Sequence, residues 1–330
     1  MTSAIGRDGK GAGALAGNAV TALAVSPAFD RDPIVFAATM AGLFRSVDAG
    51  TSWRPFGERE SASPLSAVAV SPGFAEDGEL LVAGLAGGVS RVTGGGAWTA
   101  GDFQGRPVAV TALVMSPEFM RDGTAFAATM ADGVFVTRNR GAMWEAGRFG
   151  LLDLDVTALA ISPSFPSDET IFAATATGVF RSPNGGRAWR EVGQPAEGAV
   201  VQSLAVSPEY GTDGVLYAGT EQAGLFRSAD RGVTWQPSGP ALRDACVNAV
   251  VLSPAFSVDH TVVIATESAV YLARDAGATW SRRAEAPGAL CLAFSPTFTS
   301  GGPVLVGLEE HGVLRLTGAL TDWTPERPLG

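Results

Sequence analysis

Residues 20–53 read VTALAVSPAFDRDPIVFAATMAGLFRSVDAGTSW, and the same pattern returns six more times along the chain. The Ser-Pro pairs set the register: Ser26-Pro27, Ser71-Pro72, Ser116-Pro117, Ser162-Pro163, Ser207-Pro208, Ser253-Pro254 and Ser295-Pro296, at intervals of 45, 45, 46, 45, 46 and 42 residues. The seven tryptophans keep the same beat, at Trp53, Trp98, Trp144, Trp189, Trp235, Trp280 and Trp323. A fixed period in this range marks one supersecondary unit copied in tandem.

Each copy divides into four short strands. The first is Val20–Val25, with counterparts Leu65–Val70, Val110–Met115, Val156–Ile161, Val201–Val206, Val247–Leu252 and Ala289–Phe294. These runs are apolar at successive positions, which predicts strands covered on both faces. A turn of the form S-P-x-[FY]-x-x-D follows, in which proline fixes φ and the aspartate can accept from nearby amides. The second strand is expected at Ile34–Thr39 and its equivalents. A glycine eleven residues before the Trp opens the third strand in six copies, with Ala269 in the sixth. The fourth strand is expected to carry the Trp. Four antiparallel strands per repeat, copied radially, describe an all-β, seven-bladed β-propeller of four-stranded blades. A solenoid of one- or two-strand repeats fits less well. Residues 1–18, small and glycine-rich, read as a flexible N-terminal tail lying against the last repeat, and 19–330 as a single propeller. The ring would close by packing of the first and last repeats or by a strand donated from the tail.

The chain has 330 residues, 46% of them hydrophobic, and a net charge of −10 from 23 basic and 33 acidic residues. Nucleic acid is therefore not an expected partner, because it demands a basic footprint. Lys10 is the single lysine and lies in the tail, which removes lysine-base chemistry from the propeller. Cys246 and Cys291 occupy different positions within adjacent repeats and are not expected to form a disulfide. No apolar run reaches the length of a signal-peptide core or of a membrane span. The expectation is a monomeric cytoplasmic protein without a membrane span. Two histidines, His260 and His311, argue against a histidine-rich metal centre, and no metal or other cofactor is expected.

Between the third and fourth strands stands Ser46-Val47-Asp48-Ala49-Gly50-Thr51-Ser52-Trp53, which resembles the Asp-box, S/T-x-D-x-G-x-x-W. The match is full again at Ser228, Asp230, Gly232 and Trp235. It is close at Thr137, Asn139, Gly141 and Trp144, and at Ser182, Asn184, Gly186 and Trp189. The sixth copy keeps Asp275, Gly277 and Trp280 but has Ala273, while the second and seventh have diverged. The chain thereby resembles Asp-box propellers: sialidases, xyloglucan-type glycoside hydrolases, sortilin-type receptor ectodomains and the photosystem-assembly factor of the Ycf48 type. The resemblance implies a propeller whose box turns lie away from the active face. A box needed in most blades for a turn is not a unique reacting group, so Asp48 and Asp230 read as structural. Sialidase chemistry would require a tyrosine nucleophile, yet Tyr210, Tyr217 and Tyr271 all occupy apolar framework positions.

A functional site belongs where the repeats disagree. In a propeller the second-to-third loops and the fourth-to-first loops share one face. The former carry Met40, Leu85 and Met130 in the early blades, and Glu221, Glu267, and Glu309-Glu310-His311 in blades five to seven. These eight residues are the candidate ligand contacts. Glu221, Glu267, Glu309 and Glu310 are also candidates for acid–base work, since neighbouring carboxylates can hold one acid neutral. The plainer alternative is a row of solvated loop acids. The sequence is read as a binding or scaffold propeller for a protein or small ligand; the alternative is a carbohydrate-active hydrolase or lyase with a carboxylate pair on the same face.

Overall fold

The computed structural model describes residues 15–57, 64–317 and 324–326. Seven four-stranded antiparallel sheets follow one another along the chain, each built from strands consecutive in sequence and paired in the order first, second, third, fourth. The chain is a seven-bladed β-propeller. The seven first strands have the bounds expected from the sequence. Each packs against the first strand of the next blade, and Ala289–Phe294 returns to Val20–Val25. The last blade takes its fourth strand, Thr324–Glu326, from its own repeat, so the ring closes by packing. At that seam Leu15 is buried with Val20, Leu305 and Val313. The Gly17 amide donates to the Glu310 carbonyl at 2.9 Å.

Four local features differ from the sequence reading. The strands covered on both faces are the second ones, such as Val35–Thr39, which is buried throughout; the first strands are mostly half-buried because they border the axis. The second strand begins at Val35, with Ile34 buried just outside it. The fourth strand contains the tryptophan only at Trp98–Ala100; at Arg54–Pro55 and the four strands that follow blade two's, the Trp immediately precedes the strand. Trp323 lies outside the described residues. The turn after Ser-Pro closes as a single helical turn in blades two to six, for example Phe74–Asp77. There the buried Ser71 hydroxyl donates to Asp77 Oδ2 at 2.8 Å, and Asp77 Oδ1 accepts the Glu79 amide at 2.9 Å. An aspartate is required because it satisfies a buried hydroxyl and a free amide at once.

The box turns are built from the same economy of hydrogen bonds. The Ser46 hydroxyl donates to Asp48 Oδ1 at 2.7 Å and accepts the Gly50 amide at 2.8 Å, while Asp48 Oδ1 accepts the Ser52 amide at 2.8 Å. Ala49 and Gly50 both have positive φ, 59° and 85°, and a glycine at the second position lets the chain make that reversal. Trp53 donates its indole N–H to Gly50 and is buried against Leu305 of the neighbouring blade. Burial of the indole is not uniform: Trp53, Trp144 and Trp189 are buried, whereas Trp98, Trp235 and Trp280 remain half-buried.

Candidate functional site

Every first strand carries a bulge at its second residue, where the register with the second strand slips. The extra residue leaves a ladder carbonyl unpaired, and bulges re-aim side chains near functional sites. In blades one to three the bulged side chain donates to the first-residue carbonyl of the next blade's inner strand: Thr21 to Leu65 at 2.8 Å, Ser66 to Val110 at 2.6 Å and Thr111 to Val156 at 2.6 Å. Thr157 does the same to Val201. In blade six the amide of Asn248 reaches Ala289 at 2.7 Å.

Blades five and seven break this rule. Their bulged residues are Gln202 and Leu290, and the bond passes to the next position: Ser203 donates to Val247 at 3.1 Å and the Cys291 thiol to Val20 at 3.4 Å. Ser203 pairs across the sheet with Gly219, and Cys291 with Gly307. In the other blades both partners of this pair are alanines, as at Ala22 and Ala38. A β-carbon on Gly219 would stand 2.2 Å from Ser203 Oγ, and one on Gly307 would stand 2.4 Å from Cys291 Sγ. The glycines thus make room for the relocated donors.

Released from that duty, Gln202 turns to its neighbour. Its amide donates to Cys246 Sγ and to Asn248 Oδ1, both at 3.1 Å, and the Cys246 thiol donates to Asn248 Oδ1 at 3.1 Å. Burial pushes the Cys246 thiol above its ordinary range; the Gln202 amide opposes this, and the carboxylates of Glu267 and Glu221 add to the rise. The thiol is therefore a neutral hydrogen-bonding group at neutral pH, not a nucleophile.

All eight sequence candidates lie between a second and a third strand, at one end of the blades, and several of these loops are held to the entries of the inner strands. Met40 donates its amide to Ala19, Met130 to Ala109 and Glu221 to Val200, at 3.0–3.2 Å. Glu267 and Glu221 both act on the Cys246 thiol, Glu267 the more strongly. Glu267 and Glu309 are linked through Gly288, whose amide donates to Glu267 and whose carbonyl accepts from Glu309, both at 2.8 Å. Glu310 is held instead by its carbonyl at the Gly17 seam. His311 is exposed beside it. Met40, Leu85 and Met130 stand one per blade, 47%, 44% and 50% exposed.

Two sets of residues stand outside the eight candidates. Gln202 and Asn248 interrupt the Thr/Ser pattern at the inner-strand entries and are legible there, whereas Cys246, one residue before its strand, carries no such mark. Phe149 and Leu152, 79% and 81% exposed, lie on the fourth-to-first loop after blade three, where the Phe149 carbonyl accepts the Trp189 amide of the next blade at 2.8 Å. That loop is fastened by Arg148, whose guanidinium donates to the Asp132 carbonyl at 3.2 Å, and Arg106 also pairs with the Asp132 carboxylate. Among the described residues no group of His, Cys, Asp and Glu assembles a metal site, and no helix is long and apolar enough to cross a membrane.

At the opposite end, Asp48, Asp230 and Asp275 are absorbed by their turns. Burial works to raise Asp48, but hydrogen bonds from Ser52, Ser46 and Thr51 outweigh it and hold the carboxyl below its ordinary range. The Thr234 hydroxyl and amide lower Asp230 in the same way. His260 caps the helical turn Phe256–Asp259 in a left-handed conformation, φ 48°, and its ring meets Phe256 edge-on at 6.0 Å.

No family model and no curated protein sequence matches the chain. Solved structures do. An ancestral GH74 enzyme superposes with a TM-score of 0.76 at 17% identity, over 95% of this chain and 46% of the enzyme. The GH74 xyloglucanase from Xanthomonas campestris gives 0.73 at 17% identity, over 95% of this chain and 54% of the enzyme. Ycf48 bound to D1 peptide gives 0.65 at 15% identity, over 92% of this chain and 95% of Ycf48. The chain thus spans about half the length of the hydrolases. At these identities the likeness is one of fold, and the fold shared with all three is the seven-bladed propeller.

Proposed function

We propose that this chain is an Asp-box propeller acting as a monomeric binding module, which holds a protein segment or small ligand on the face of the inner-strand entries. The observation that carries the reading is the departure of blade five from the repeat. Ser203 takes over the inter-blade bond, Gly219 makes space for it, and Gln202 is freed to form a polar floor with Cys246 and Asn248 beside Glu221 and Glu267. On the loops of blades one to three the exposed side chains of Met40, Leu85 and Met130 offer apolar surface, whose burial contributes about 25 cal/mol per Å². A partner carrying basic groups beside apolar side chains matches both halves. The end-to-end likeness to Ycf48, a propeller solved with a peptide, supports a peptide segment as that partner.

The second reading is a glycoside hydrolase or lyase. It is favoured by the likeness to GH74 enzymes and by the placing of Glu221 and Glu267 on the loops of one face. Hydrolysis would require one of these carboxyls to donate a proton while the other acts as base or nucleophile. Fluorescence anisotropy against short peptides that mix arginine with leucine or phenylalanine, run beside a reducing-end assay on xyloglucan, separates the two. Binding to such peptides is expected, about tenfold weaker for the pair Glu221→Gln and Glu267→Gln through loss of charge-assisted bonds. Release of reducing ends, with no peptide retained, would replace the binding reading by the hydrolase.

A further inference from the structure

At the end of the ring opposite the inner-strand entries, the Ser-Pro turn of one blade meets the Ser-Pro and box turns of the next across a groove. Between blades two and three the chain fills this groove itself. Arg140 from the third blade's box donates to Asp77 Oδ2 at 2.9 Å, places its Nε 3.3 Å from Glu79 Oε2, and sets its guanidinium 5.5 Å from the centre of the Phe119 ring. On the far side of Glu79, Arg91 Nη1 lies 3.7 Å from Oε1. Four charges alternate: Arg91, Glu79, Arg140, Asp77.

Between blades five and six the equivalent groove is an open cavity of about 680 Å³. The repeat register shows what has changed. The two outer charges remain, Arg227 in the place of Arg91 and Asp213 in the place of Asp77, and Phe256 stands where Phe119 does. At the two inner positions Val215 stands where blade two has Glu79, and Ala276 where blade three has Arg140. All five of these residues line the cavity. Asp213 is anchored as Asp77 is, accepting the Ser207 hydroxyl on Oδ2 at 2.6 Å and the Val215 amide on Oδ1 at 2.9 Å. The remaining acceptor position on Oδ2, which Arg140 takes on Asp77, is left open. Arg227 has no carboxylate at the position of Glu79; its side chain is hydrogen-bonded to Tyr217, and Glu209, His260 and Asp275 complete the lining of the cavity.

We infer that this groove binds a small zwitterion that replaces the missing pair: its carboxylate on Arg227, its guanidinium or ammonium between Asp213 and the face of Phe256. Charge-assisted hydrogen bonds hold both ends, and the aromatic ring adds a cation–π contact. With Glu209, Asp213 and Asp275 against Arg227, the lining favours a ligand of net positive charge, and Arg227 is the group that adds a preference for a carboxylate on the same molecule. The cavity's volume falls within the range of small-molecule sites and accommodates a free basic amino acid. The inference concerns the face away from the proposed partner surface and stands independently of it.

The test is calorimetric titration of the intact protein with L-arginine, and with agmatine, which keeps the guanidinium and lacks the carboxylate. L-arginine is expected to bind at a single site, with agmatine about tenfold weaker through loss of the Arg227 contact. Val215→Glu combined with Ala276→Arg rebuilds the internal pair and should abolish binding while the melting temperature holds or rises. Arg227→Met should bring L-arginine down to the affinity of agmatine, and it decides the matter should the double variant fail to fold. Absence of L-arginine binding, equal affinity for agmatine, or undiminished binding in either variant overturns the assignment.

Discussion

Blades one to four and blades five to seven lock the centre of the same ring in different ways. In the first group a bulged threonine or serine reaches directly to the next blade's carbonyl, and the residue after it is an alanine facing an alanine. In the second group the bulged residue is Gln202, Asn248 or Leu290. Asn248 keeps the bond because its amide is long enough to reach; blades five and seven pass it to Ser203 and Cys291. The difference teaches that the inter-blade bond is required while its donor is not. A blade releases its bulged side chain for other work only when a neighbouring donor and a facing glycine arrive together. Cys291 is the weakest of these donors, and burial pushes its thiol up to about 12, so it stays protonated and able to donate across the physiological range.

The largest expected contrast is between the tryptophans of blade three and blade five. Trp144 is fully buried, stacks on Phe103 at 5.3 Å and donates its indole N–H to Gly141. Trp144→Ala should cost about 3–5 kcal/mol. Trp235 is half-buried and its indole nitrogen has no hydrogen-bond partner, so Trp235→Ala should cost clearly less. Urea denaturation of both variants measures the gap, and equal losses would show that the two blades are packed alike.

The relocated bond offers a smaller but sharper test. Gly219→Ala drives a methyl to 2.7 Å from the Val247 carbonyl as well as onto Ser203, and should destabilise by about 1–3 kcal/mol. Adding Ser203→Ala and Gln202→Thr turns blade five into a copy of blade one and should recover most of that loss. Partner binding on the mouth should then fall, because the Gln202 floor is gone. A neutral Gly219→Ala, or a triple variant no better than the single one, would break the account of how the donor moved.

The smallest effect belongs to the box turns. Asp48→Ala removes the acceptor of the Ser46 hydroxyl and the Ser52 amide and should cost about 1 kcal/mol with partner binding unchanged. The acids at Asp48, Asp230 and Asp275 titrate lower in the folded chain than in the unfolded one. Their contribution is therefore complete above the ordinary aspartate range and is lost as pH falls through the lowered folded values. Thermal melts should show the wild type losing stability below about pH 4, and Asp48→Ala losing less over that interval. Parallel acid profiles would mean that the carboxylate does not hold the turn.

Much of this molecule was legible in the sequence because its repeats state the same local physics many times over. The Ser-Pro-Phe-Asp register placed the first strands, since a buried serine hydroxyl and its aspartate recur at a fixed distance wherever the turn forms. The boundaries that went astray did so for reasons of packing. Ile34 reads as strand by its apolar character but lies outside the ladder, and Trp53 is drawn to the neighbouring blade rather than into its own sheet. The candidate loops were assigned to one end of the ring by topology alone, and the amide bonds of Met40, Met130 and Glu221 hold them at the inner-strand entries.

The sequence by itself determined the number of blades, the order of the strands and the residues that build each turn, because those depend on neighbours a few positions apart. Only the tertiary structure decided which residues meet across blades. Gln202 with Cys246, Ser203 with Val247 and Arg140 with Asp77 lie 44, 44 and 63 residues apart. Their meeting depends on how each blade is set against the next, and no local pattern records it. The open groove between blades five and six is of the same kind: two small residues, Val215 and Ala276, are unremarkable in their own repeats and make a cavity only when the ring brings them face to face.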